Sequence, residues 1–107
     1  MINLEDFQKC NIRIGTIESV NKIPEADKLL KFIIDFGGEK RQVMSGIAEF
    51  ITDLESLVGK QVPVLLNLEP REFRGFESQG MILMADDTDK PILLFPQHKV
   101  NAGCIVR

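Results

Sequence analysis

Short apolar runs recur at period two along this chain, one short helix signal falls between the third and fourth of them, and helices do not alternate with strands. Together these observations predict an all-β fold. A five-stranded OB-fold barrel fits the order, with one short helix between strands three and four and short terminal extensions. The chain has 107 residues, so residues 1–107 form a single domain.

The elements follow in sequence. Residues 1–11 hold a helical turn with Asn3 or Asp6 as its cap, a candidate contact with a second copy. From Asn11 to Val20 the apolar positions are Ile12, Ile14, Ile17 and Val20, and the slip around Gly15-Thr16 predicts a β-bulge. Leu30, Phe32, Ile34 and Phe36 then alternate with Lys31, Ile33 and Asp35, the pattern of a half-buried strand. Gly37-Gly38 predicts a hairpin turn, because both residues tolerate positive φ, and Glu39 to Met44 is the partner strand. Thr52-Asp53-Leu54-Glu55 has the spacing of a capping box, with Leu54, Leu57 and Val58 on one helical face and Gly59 as the stop. Val62, Val64, Leu66 and Leu68 alternate again; Pro63 puts this strand at an edge or turns the proline away from the ladder. Met81 to Ala85, Ile92 to Phe95 and Cys104 to Val106 complete the strands, with Asp86 to Pro91 as a polar turn.

Composition narrows the function. Apolar residues make up 44% and charged residues 27%, which excludes general disorder. Net charge is −3, which argues against indiscriminate nucleic-acid coating and confines any such site to a local basic patch. No apolar run approaches the roughly 20 residues that cross a bilayer. The acidic start, Met1 to Asp6, lacks a signal core, so the expected location is the cytoplasm. Cys10 and Cys104 at opposite ends read as two reduced thiols.

Catalytic chemistry is not visible. His98 is the only histidine and reads as a loop residue without partners at metal-ligand spacing. Neither Ser45 nor Ser78 lies in a G-x-S-x-G elbow, and Gly37-Gly38 lacks the following helix of a phosphate loop. No catalytic residue, metal site or cofactor is expected.

Three segments carry more than scaffold. Pro24 to Leu29 reads either as a turn in which Asp27 binds local amides, or as a groove mouth flanked by Lys28 and Lys31. Arg41 to Gly46, preceded by Lys40, puts two adjacent cations on the hairpin. Asn67 to Met81 is a long polar connection holding Arg71, Arg74, Phe73, Phe76, Ser78 and Gln79, too long for a plain strand-to-strand link. Arginine can fork to phosphate or stack on a base. Phe73 and Phe76 are either stacking platforms or anchors that hold the loop to the core.

These segments resemble a known family. Asp6-Phe7, Ile12-Arg13-Ile14-Gly15, the P-x-A-D-K-L run at Pro24 to Leu29, Arg41 to Gly46, Leu57-Val58-Gly59-Lys60, Asn67-Leu68-Glu69-Pro70-Arg71 and Arg74-Gly75 to Glu77-Ser78-Gln79-Gly80-Met81 follow in the right order. The chain, from about Asp6 to Arg107, is similar to the tRNA-binding OB-fold domain found at the C-terminus, or as the separate beta subunit, of methionyl-tRNA synthetases. It also resembles the free-standing structure-specific tRNA-binding proteins. The resemblance implies a non-catalytic module that binds the outer corner of tRNA by shape, homodimeric when free-standing or attached to a synthetase catalytic chain. It implies RNA contacts at Lys28, Arg41, Asn67, Arg71, Arg74, Ser78 and Met81, to which the groove argument adds Lys31. Glu69 and Glu72 stand where the family commonly has a basic residue, and Ile23 where it often has His, so the expected affinity is modest and salt-sensitive. The alternative is a peptide-binding secretion chaperone of the same fold. Met1 and the fit to family borders lead us to expect a stand-alone protein or a naturally bounded domain.

Overall fold

The computed structural model describes residues 1–107. A short helix, α1 (Leu4–Gln8), opens the chain. Asn3 caps it: its side chain accepts from the Asp6 amide at 2.9 Å, and the Asp6 carboxylate accepts from the Asn3 amide. The strands are β1 (Ile12–Ile23), β2 (Ala26–Asp35), β3 (Lys40–Ser45), β4 (Gln61–Leu65), β5 (Arg71–Phe73), β6 (Phe76–Ser78), β7 (Met81–Ile82), β8 (Met84–Asp87) and β9 (Lys90–Leu93). Five form one antiparallel sheet in the order β3-β2-β1-β4-β7. The pairs β5-β6 and β8-β9 are separate hairpins.

The sheet does not close into a ladder-bonded cylinder, because β3 and β7 share no register. Residues 78–80 bridge the gap instead: the Gln79 amide donates to Gln42 O at 2.8 Å, and the Met44 amide to Ser78 Oγ at 3.0 Å. The main core fills the concave side. Phe32, Leu30, Ile34, Val43, Val62 and Val64 are fully buried there, joined by Ile17, Leu66 and Ile82. Each such side chain contributes roughly 1.5–3 kcal/mol on leaving water.

Alternation from Leu30 to Phe36 holds, as does the turn at Gly37, whose φ is 93°. Three expectations fail. No bulge lies at Gly15-Thr16. Gly15 faces the core, where a Cβ would lie 2.6 Å from the Phe36 ring and collide with Ile34. Ile12 and Ile14 therefore fall on the opposite side, where residues 103–106 hydrogen-bond beside them. The register breaks come later, between Ile17 and Ser19 and between Lys22 and Ile23. The Thr52 capping box does not form either. The segment between β3 and β4 makes two 3₁₀ turns, Ala48–Phe50 and Leu54–Leu57, the second starting after Asp53 without a side-chain cap. Ile47, Ala48 and Leu57 still bury against the core, so position and packing match the sequence reading while helix type does not. Finally, β2 starts at Ala26, and only Pro24-Glu25 makes the turn, with Glu25 at φ 65°.

Pro63 is compatible with a strand inside the sheet. Its carbonyl accepts from Leu83 N at 3.0 Å, on the side away from β1, so the missing N–H costs the β1-β4 ladder nothing.

Candidate nucleic-acid interface

The stretch Asn67–Met81, expected as a long loop, contains the β5-β6 hairpin. Its turn is Arg74-Gly75, with φ of 53° and 86°. Positive φ at both central residues gives the turn whose twist matches the strands, and Gly75 supplies one of them without strain. Phe73 and Phe76 pair across the turn and share a face with Arg71 and Ser78; Glu72 and Glu77 pair on the other face. The two rings pack on Ile23, Ala26, Met44 and Leu29. They are anchors: the hairpin is held to the body by its own aromatics.

The anchored rings position cations. The Arg71 guanidinium carbon lies 5.1 Å from the Phe73 centroid, and Lys31 Nζ lies 5.7 Å from the Phe76 centroid. Both distances suit a cation–π contact, which restrains a long side chain while leaving its donors free. Between the hairpin tip and the β1-β2 turn lies an open groove of about 610 Å³ lined by Lys28 and Arg74, and also by Glu25, Asp27 and Glu72. No carboxylate comes within 4.0 Å of Lys28, Lys31, Arg71 or Arg74; the ion pairs are Lys9–Asp6, Lys40–Glu18 and Arg41–Glu39.

The other expected residues have inward-directed partners. Arg41 donates to Leu66 O at 2.8 Å and Gln79 O at 3.2 Å, and meets Glu39 at 3.3 Å. It fastens the β3 edge to the end of β4. Asn67 accepts from the Asn11 amide at 2.8 Å and donates to Lys9 O at 2.6 Å, tying the α1-β1 junction down. Ser78 is 2% exposed; besides accepting from Met44 it donates to Gly80 O at 2.9 Å. Its hydroxyl is not presented to solvent. Met81 is half-buried in β7, paired with Leu65. The structure thus gathers Lys28, Lys31, Arg71 and Arg74 around one hairpin and makes Arg41, Asn67 and Ser78 its braces. The braces Gln42 and Gln79, which hold the same junction, went unnoticed in sequence because exposed glutamines carry no distinguishing pattern.

No cluster of three or more His, Cys, Asp or Glu side chains is arranged to hold a metal ion. No helix is long and apolar enough to cross a membrane. Cys10 and Cys104 are both free thiols.

Comparison with known proteins agrees with this geometry. Residues 12–104 match the family described as "Putative tRNA binding domain". Methionine–tRNA ligase of Archaeoglobus fulgidus is 51% identical over 95% of this chain. The chain spans only 15–16% of that relative and of its counterpart in Porphyromonas gingivalis. Among solved structures, the MetRS-related protein of Pyrococcus horikoshii superposes with a TM-score of 0.93 at 36% identity, covering 100% of this chain and 98% of that one. The chaperone CsaA of Bacillus anthracis superposes with a TM-score of 0.87 at 28% identity, covering 100% and 99%. The chain belongs to the tRNA-binding domain family that recurs in methionine–tRNA ligases, a binding module and not a catalytic one.

Proposed function

We propose that this chain binds tRNA at its outer corner by shape and backbone contacts, either as the C-terminal or beta-subunit module of a methionyl-tRNA synthetase or as a free-standing homodimer. One observation carries the reading. Four cations that no acid neutralises converge on an aromatic-anchored hairpin, in a chain whose net charge is −3. Lys28, Lys31, Arg71 and Arg74 would touch phosphates and fix orientation without reading sequence. Arg41, Asn67 and Ser78 would support that surface, and Met81 would border it. Attached to a synthetase, the module would raise tRNA affinity by linking two weak sites through effective concentration. The bridge from β3 to residues 78–80 supports an OB-type barrel as the frame. Exposed Ile2 and Leu4 beside α1 support a second copy as partner. The two free thiols suit a cytoplasmic site of action.

The likeness to a chaperone favours a second reading, a surface that holds unfolded peptide. Against it, Phe73 and Phe76 are spent on packing the hairpin and offer no open apolar trough. A competition assay separates the two: labelled whole tRNA is displaced by unlabelled tRNA or by an unfolded peptide, at low and high salt. The tRNA reading expects displacement by tRNA alone and weaker binding at high salt. Tight, salt-insensitive peptide binding without tRNA binding would overturn it.

A further inference from the structure

A second cationic groove lies apart from the hairpin. Lys90 to Arg107 contains no acidic residue, although the remainder of the chain holds all 16. The stretch Val58 to Leu68 is also acid-free, and the fold brings the two together: Gln61 donates to Val100 O at 2.7 Å and accepts from the Val100 amide at 2.9 Å. At that junction lies an open groove of about 230 Å³ lined by Lys60, Phe95, His98 and Lys99 among seven residues, none acidic. A neighbouring groove of about 560 Å³ shares His98 and Lys99 and is equally free of acids. The contrast with the hairpin groove is chemical, since three carboxylates line that one against two cations.

Phe95 is 48% exposed, and Lys60 Nζ lies 5.5 Å from its centroid. Neither Lys60 nor Lys99 has a carboxylate partner. An ammonium over an exposed ring, beside a second ammonium in an acid-free groove, is the composition that takes a phosphate together with a nucleobase. The site is remote along the strand from the hairpin. Lys60 O accepts from Ile17 N, midway along β1, whereas the hairpin packs on Ile23 at its far end.

We propose that the Lys60–Phe95–Lys99 groove is a second RNA contact, holding backbone phosphate on the two ammonium groups and an unstacked base on the Phe95 ring. This rests on the tRNA-binding reading above and adds a separate footprint to it. A site remote from the hairpin lets one domain engage two stretches of the same tRNA, which suits recognition by shape.

The test uses the full chain and whole tRNA, titrated across a salt series. Three proteins are compared: wild type, Lys60→Gln with Lys99→Gln, and Phe95→Leu. All three side chains are exposed, so the variants should keep the wild-type circular dichroism and melting behaviour. The expected result for the double variant is a fall of roughly 1.4–1.8 in the slope of log affinity against log salt, two phosphate contacts' worth. Phe95→Leu should weaken binding about tenfold at unchanged slope. Wild-type slope and affinity in both variants would overturn the second contact while leaving the hairpin reading intact. Failure of wild type to bind tRNA at all would overturn the parent reading, and this inference with it.

Discussion

The Ser78 hydroxyl accepts the Met44 amide at 3.0 Å although 34 residues separate the two in sequence. This bond fastens the free edge of β3 to the exit of the hairpin, and the same hydroxyl donates to Gly80 O. Ser78→Ala leaves a buried amide without a partner, which costs about 1–3 kcal/mol. Urea denaturation should show that loss. An unchanged midpoint with weakened tRNA binding would instead make Ser78 a direct RNA contact.

Gly15 has no room for a side chain. A Cβ there would meet the Phe36 ring at 2.6 Å and collide with Ile34, both core residues. Gly15→Ala should destabilise by about 1–3 kcal/mol through overpacking. Wild-type stability on thermal or urea unfolding would show that the core yields at this point.

Arg41 and Arg71 differ in what they hold. Arg41 has inward partners at Leu66 O and Gln79 O; Arg71 has only the face of Phe73. Arg41→Gln should therefore lower stability by about 1 kcal/mol or more, since two carbonyls lose a charged donor. Arg71→Gln should leave stability within about 0.5 kcal/mol of wild type. Equal losses on denaturation would remove the distinction between brace and contact.

Lys40 donates to Glu18 at 2.7 Å, and that hydrogen bond, with the Glu18 charge, raises the lysine pKa above its ordinary 10.5. The pair's small stabilisation is complete below 10.5 and disappears as pH climbs through the higher folded value. Lys40→Met should be slightly less stable than wild type at neutral pH and equal to it once Lys40 is deprotonated. A gap that persists in strongly alkaline solution would assign the effect to packing.

Parts of this structure were legible in the residues. Leu30 to Phe36 alternates without a break and ends in Gly37, so its strand and turn needed no tertiary information. The β5-β6 hairpin was legible in principle, because Phe73-Arg74-Gly75-Phe76 places apolar residues either side of an x-Gly pair. Its strands are only three residues long and mostly polar, too short for alternation to register. At Leu54–Leu57 the capping spacing was present but the segment was one turn long. So short a helix has too few hydrogen bonds to offset nucleation, and burial of Leu57 decides its geometry.

The candidate site divides the same way. Lys28, Arg71 and Arg74 gather where the motif order implied, because the hairpin carries them. Arg41, Asn67 and Ser78 have the same donors and acceptors whether they face RNA or their own backbone. Only the partners at Leu66, Lys9 and Met44 show which.

The account rests on the hairpin cations meeting tRNA phosphates. The direct measurement is the salt dependence of tRNA affinity for wild type against Arg71→Gln with Arg74→Asn, the latter chosen because Asn tolerates the positive φ at this turn. Weaker binding with a slope reduced by roughly 1.4–1.8 units is the predicted result. Unaltered slope and affinity in a correctly folded double variant would contradict it.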